Sequence, residues 1–218
     1  MVAAVVFDLD GVLIDSEERW DAARRAVVAE HGGAWKPDAT RSMMGMSAPE
    51  WSRYLRDELG VGLGPDQIVS EVLERLAAEY ERELPLLPGA VDAVRRLAGR
   101  WPLGLASSAN KEIIELVLDR AGLGDAFAAY VSSEEVARGK PAPDVYLEAA
   151  RRLGVDARSC VAVEDSSNGL RSAAAAGMAV IAVPNHAFPP DPEALALATI
   201  TVGGVGEIDA ATVERAGR

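Results

Sequence analysis

Two acids, Asp8 and Asp10, stand one residue apart directly after the apolar run Val5-Val6-Phe7, and Gly11 follows them. Carboxylates this close at the end of a buried strand repel each other, and burial penalises the charge of each. The pair therefore demands a positive counterpart. Three more polar clusters follow short apolar runs. Ser107, Ser108 and Asn110 follow residues 102–106; Arg138-Gly139-Lys140-Pro141 comes shortly after 129–131; Glu164-Asp165-Ser166-Ser167-Asn168-Gly169 follows 160–163. Asp8, Asp165 and Glu164 make an oxygen donor set suited to Mg2+, a hard cation that keeps several waters. Such a cation answers the repulsion between the paired acids. Ser107 and Ser108, with Lys140, supply donors and a positive charge for a phosphate. Asp8 is then placed to attack phosphorus and form an aspartyl-phosphate. Asp10 is placed to protonate the leaving oxygen and later to activate a water. Gly11 lets the backbone approach without a side chain in the way.

A calcium loop is the competing reading of D-x-D-G. That loop needs a further acid before its glycine and a helix in front; here a strand precedes and Gly11 comes too early.

The elements that position these residues follow from periodicity. Asp15 is expected to cap a helix, with Glu18 as its capping-box partner. Residues 16–84 then carry helical spacing throughout: Trp20, Ala23 and Val27; Trp51, Tyr54, Leu55 and Leu59; Ile68, Val72, Leu76 and Tyr80. Breaks fall at Gly32-Gly33, near Gly45, and between Gly60 and Pro65. Beyond Leu84-Pro85-Leu86-Leu87-Pro88 short apolar runs alternate with helical stretches, the pattern of a parallel sheet covered on both faces. Pro189-Pro190-Asp191-Pro192 is expected as a turn-rich loop. The expected organisation is an α/β core formed by residues 1–15 and 85–218, interrupted by an all-helical insertion at 16–84. In open parallel sheets ligands bind beyond the carboxyl ends of the strands, so the four polar clusters are expected on one edge.

Composition narrows the function classes. The chain has 218 residues, 49% of them hydrophobic, and a formal net charge of −12. Nucleic acid and anionic membranes, which favour basic faces, are not expected partners. An anionic small molecule then requires a local positive trap. The lone cysteine, Cys160, lies in an apolar run and is expected as core. No stretch approaches the ~18 apolar residues of a membrane span, and a cytoplasmic monomer is the expected form.

The segments FDLDGVL, LASSAN, GKPAPDVY and VEDSSNG, in that order, resemble the haloacid dehalogenase-like superfamily. The resemblance is to its branch of small phosphatases and β-phosphoglucomutase-like phosphosugar mutases. It implies a Rossmann-like core with a helical cap. It also implies Asp8 as nucleophile, Asp10 as general acid/base, Ser107 as the motif-two hydroxyl and Lys140 as the motif-three lysine. The implied Mg2+ ligands are Asp8, the main-chain carbonyl of Asp10, and Asp165, with Glu164 close by. The mutases of this branch carry a histidine and an arginine in the cap where this chain has Trp20 and Ala48. Neither can hold a positive charge, which favours hydrolysis of a small phosphorylated metabolite over a phosphosugar mutase; in a mutase, Arg19, Arg41 or another basic residue would have to do that work. A 2-haloacid dehalogenase would lack the acid at Asp10, and the intact motif set argues against a catalytically silent binding module. Trp20 has two readings, a ring inside the cap or a ring at the cleft mouth.

Overall fold

The computed structural model describes residues 1–43, 46–185 and 187–218. Gly45, expected at a break, and His186 lie outside the described residues. Strand β1 (Ala4–Phe7) is followed by four helices, α1 (Glu17–Glu30), α2 (Ala39–Met43), α3 (Ala48–Asp57) and α4 (Pro65–Arg82). Strands and helices then alternate: α5 (Ala90–Ala98), β2 (Leu103–Ser107), α6 (Lys111–Arg120), β3 (Ala129–Ser132), α7 (Asp144–Leu153), β4 (Cys160–Glu164), α8 (Ser167–Ala175), β5 (Ala179–Ala182), α9 (Pro192–Leu195), β6 (Ile200–Thr201) and α10 (Ala210–Ala216).

The strands form one parallel sheet in the order β3-β2-β1-β4-β5-β6. Both faces are covered, so the strands are apolar on both sides. Val5 and Phe7 pack with Val94 and Leu97 of α5, Ile113 and Val117 of α6, and Val213 of α10. Ala4 and Val6 point the other way, among Val145 and Tyr146 of α7, Leu170 of α8 and Ala194 of α9. The alternation is the period of two that a strand imposes. From β1 the chain builds outward to β3 on one side, then to β6 on the other. The order therefore reverses next to β1, and the ends of β1 and β4 flank the crevice where such sheets bind ligands.

The chain crosses from sheet to helical block and back along two adjacent segments. Asp15 N–H donates to the Pro85 carbonyl at 2.8 Å, and Leu87 N–H to the Leu13 carbonyl at 2.9 Å. Trp20, Trp51, Leu55, Val72, Leu76 and Tyr80 fill the interior of the helical block.

Two local expectations change. Ser16, not Asp15, is the N-cap of α1, and its side chain does not bond the helix; its hydroxyl is used elsewhere, as described below. The expected loop at 189–192 ends in a helix start, since the Asp191 carboxylate accepts from Ala194 N–H at 2.8 Å and caps α9. At four residues α9 is too short for periodicity to register.

Candidate active site

The polar clusters gather at the carboxyl edge of the sheet because they end their strands or lie on the loops that follow them. Asp8 follows β1, and its N–H still joins the ladder through the Val163 carbonyl at 2.9 Å. Ser107 ends β2 and Glu164 ends β4. Lys140 comes from the loop between β3 and α7 and is buried; its Nζ donates to Asp8 Oδ1 at 2.8 Å and to Glu164 Oε1 at 2.6 Å. Tyr146 on α7 donates its hydroxyl to the same Glu164 Oε1 at 2.8 Å. The other oxygen, Oε2, accepts from Asp165 N–H at 3.0 Å and Ser166 N–H at 3.3 Å. Glu164 thus anchors Lys140, and Lys140 fixes the rotamer of Asp8 through Oδ1.

Two glycines leave room for these acids. A Cβ on Gly11 would lie 1.9 Å from Asp165 Oδ2, and Gly11 has φ +74°. A Cβ on Gly169 would lie 1.9 Å from Glu164 Oε1.

Asp10 is held from three directions. Its Oδ1 accepts from Ser16 Oγ at 2.5 Å and from Trp20 Nε1 at 3.1 Å; its Oδ2 faces Ser107 Oγ at 3.4 Å. Ser107 is fully buried and accepts from Ala109 N–H at 2.9 Å, so its hydroxyl serves the loop as well as Asp10. Ser108 has the free hydroxyl: its Oγ is buried without a partner and lines the cavity above Asp8. Trp20 satisfies both sequence readings at once. The ring is only 6% exposed and packs edge-on to Trp51, at 6.2 Å between centroids, while its N–H reaches the site.

The cavity between sheet edge and helical block is lined by Asp8, Asp10, Lys140, Asp165 and Ser108 below and by Glu17, Trp20, Arg24, Met43, Met46 and Trp51 above, with a volume of about 50 Å³. The upper wall holds a cation that residues 20 and 48 did not foretell. Arg24 is 7% exposed, and its guanidinium sits over the rings of Trp20, at 4.8 Å, and Trp51, at 5.1 Å. Neither Arg19 nor Arg41 lines the cavity. A signal was present in the sequence. Arg24 lies four residues after Trp20, on the stripe that the apolar residues mark as inward-facing, where a charge is out of place unless used.

The electrostatics of this site explain its need for positive charge. Burial pushes the Asp8 carboxyl up; Lys140 lowers it, Glu164 and Asp10 raise it, and it comes to about 8. Burial likewise holds Asp165 well above the usual carboxylate range, with Glu164 and Asp8 adding to the effect. Burial alone would lower Lys140, but Asp8 and Glu164 beside it raise it instead, so it stays protonated. Burial and then Asp10 push Glu17 up to about 7. Carboxylate oxygens of Asp8, Glu164 and Asp165 lie within 4.8 Å of one another. An all-oxygen, buried set with more negative than positive charge fits a divalent hard cation.

Comparison with known proteins agrees with the motifs and the sheet. Residues 2–177 match the family model for haloacid dehalogenase-like hydrolases. Hexitol phosphatase B of Escherichia coli strain K12 is 37% identical over 215 residues, covering 96% of this chain and 95% of the relative. Fructose-1-phosphate phosphatase YqaB of the same strain is 31% identical over 183 residues, covering 83% and 96%. The crystal structure of CbbY from Rhodobacter sphaeroides in complex with phosphate superposes with a TM-score of 0.86 at 28% identity, covering 98% of this chain and 100% of that one. Among the described residues no helix is long and apolar enough to cross a membrane. With four motifs in order, one parallel sheet carrying them at its carboxyl edge, and relatives aligned along nearly the whole chain, this protein belongs to the haloacid dehalogenase-like hydrolase family and to its phosphatase branch.

Proposed function

We propose that the protein is a Mg2+-dependent phosphatase that hydrolyses a small phosphorylated metabolite, a sugar phosphate or close analogue, through an aspartyl-phosphate on Asp8. One observation carries this reading. Asp8 is fixed through Oδ1 by Lys140, and Asp10 is oriented by Ser16 and Trp20 in the same cavity. That is a nucleophile and a proton carrier, each with its rotamer set by a neighbour. The names of the relatives, hexitol phosphatase and fructose-1-phosphate phosphatase, support the substrate class.

In the reaction Lys140 and the Ser108 hydroxyl hold the substrate phosphate, with Ser107 supporting the loop beneath. Asp8 attacks phosphorus, the ester P–O bond breaks, and Asp10 gives its proton to the leaving oxygen. Asp10 then takes a proton from water, which attacks phosphorus and frees inorganic phosphate and Asp8. Bound Mg2+, held by Asp8, the main-chain carbonyl of Asp10, and Asp165 with Glu164 close by, would offset the charge between Asp8 and the incoming phosphate. The helical block at 16–84 acts as a cap on a core of residues 1–15 and 85–218; its closure excludes water and completes the cavity. The enzyme works as a cytoplasmic monomer.

The test is phosphate release from a panel of phosphorylated metabolites, with Mg2+ and with chelator. Release is expected only with the metal. Full activity in chelator overturns the proposal, as does isomerisation of a hexose 1-phosphate with little phosphate released.

A further inference from the structure

Helix α1 turns one stripe of side chains toward the cavity: Glu17, Trp20 and Arg24, at positions i, i+3 and i+7. Trp20 is committed to Asp10. Arg24 has no comparable commitment. Its Nε is buried without a hydrogen-bond partner, and among the described residues the guanidinium forms no ion pair within 4 Å. Two aromatic faces, Trp20 and Trp51, hold the planar group in place, and the carboxylates of Glu17, Asp10 and Asp21 favour its charge from nearby without bonding it. Guanidinium donors are rarely buried without acceptors, because desolvation without bonding is costly. Lys140, the other cation lining this cavity, is bound to Asp8 and Glu164. Arg24 is therefore the cation of the cavity with donors to spare, on the wall opposite the one that carries Asp8.

We propose that Arg24 is a specificity-determining residue that binds an oxyanion at the non-reacting end of the substrate, a carboxylate or a second phosphate. The inference rests on the phosphatase reading. Phosphate monoesters with a second negative group are thus preferred over the neutral sugar and polyol phosphates for which the relatives are named. The planar fork of donors suits a carboxylate or phosphate in two-point contact. The Trp20 and Trp51 rings hold that fork in one orientation, so little of its freedom remains to be lost on binding. An oxyanion of the substrate supplies the bonded acceptor that the neighbouring acids do not give this guanidinium, at a charge that a row of hydroxyls lacks.

The experiment compares kcat/KM of the Mg2+-loaded full chain on three esters of matched length: a sugar-alcohol phosphate, the corresponding phosphorylated sugar acid, and the bisphosphate. The acidic esters are expected to be preferred by about tenfold or more, the scale of a hydrogen-bonded charge. Arg24→Met keeps the length and apolar packing of the side chain; it should bring the acidic-to-neutral ratio to about one, chiefly through KM. Which acidic ester loses most identifies carboxylate or phosphate as the group bound. Wild-type enzyme that hydrolyses the neutral ester as well as both acidic ones overturns the inference and leaves the phosphatase reading intact. So does a folded Arg24→Met that keeps the wild-type ratio. Release of phosphate from none of a broad panel would instead overturn the phosphatase reading. If Arg24→Met does not fold, Arg24→Lys decides: a reduced ratio supports the assignment, and an unchanged ratio overturns it.

Discussion

At the scale of single residues, substituting either partner of the buried pair Asp8 and Lys140 should abolish activity but shift stability in opposite directions. Asp8→Asn removes a carboxylate that burial has pushed up to about 8. Phosphate release should vanish, since an amide cannot attack phosphorus, while the melting temperature at pH 8 holds or rises. Lys140→Met leaves Asp8 and Glu164 buried without their shared cation. It should lose activity and also about 3–5 kcal/mol of stability, measured by denaturant unfolding. Asp10→Asn should lower kcat by about 10²–10⁴-fold, the scale of a positioned proton-transfer group. Activity near wild type in Asp8→Asn would refute covalent catalysis at this residue. Residue identity was the most legible layer in the sequence: Asp8, Asp10, Ser107, Lys140, Glu164 and Asp165 all meet at one edge, because strand ends and the loops that follow them in a parallel sheet face the same way. Arg24 was legible only as a charge on an otherwise apolar stripe. The stripe that contains it was read for its apolar members, and no spacing says whether a charge on such a stripe turns to solvent or to a cleft. The free hydroxyl of Ser108 and the engaged one of Ser107 are likewise matters of loop geometry, which adjacency in the chain does not encode.

At the scale of elements, the decisive juxtaposition is β1 beside β4, which brings Asp8 and Asp165 together. Burial raises both carboxyls and Glu164 adds to each; Asp10 adds further to Asp8, and Asp8 to Asp165. A group whose folded pKa exceeds its unfolded value binds more protons in the folded state between the two values. For Asp8 that window runs from 3.8 to about 8. Stability of the metal-free protein should therefore fall as pH rises through this window. Mg2+, if held by the proposed ligands, would bind them deprotonated and oppose that fall. The melting-temperature increase on adding Mg2+ should be larger at pH 8 than at pH 5, and calorimetry should register proton release on binding near neutral pH. An increase that shrinks from pH 5 to pH 8 would show that these carboxylates are not the metal's ligands. Gly11 connects element to site in the same way. Gly11→Ala forces a Cβ into Asp165 at a backbone conformation of positive φ; weakened Mg2+ response is expected alongside lowered stability. The helix start tells how local cues can mislead. Asp15 and Glu18 have capping-box spacing, yet the cap position falls to Ser16, whose hydroxyl turns back to Asp10. The hydroxyl at the cap position serves the site rather than the helix.

At the scale of the whole molecule, the passage from consecutive helices to strand–helix alternation was readable from the change in texture at residues 84–88. The order of the strands was not readable, since alternation alone permits several orders of a parallel sheet. Nor could the sequence tell that the two crossings lie side by side. Their pairing through Asp15 with Pro85, and Leu13 with Leu87, has a consequence for how the fold tolerates change. The ends of the helical block are already in contact, so the sheet experiences some seventy residues as a closed loop of almost no span. The entropy of closing a loop grows only with the logarithm of its length, and here the mouth of the loop is clasped by backbone hydrogen bonds. Insertion length is thus nearly invisible to the core. A chain in which a short Gly-containing turn joins Asp15 to Pro85 should still form the parallel sheet, with cooperative thermal unfolding as the readout. It should lose selectivity among phosphate esters, because Trp20 and Arg24 leave with the block. By the same logic the block is interchangeable: a different set of helices grafted between the same two residues would meet the same catalytic edge, and one hydrolytic engine could be refitted to new substrates without altering a strand.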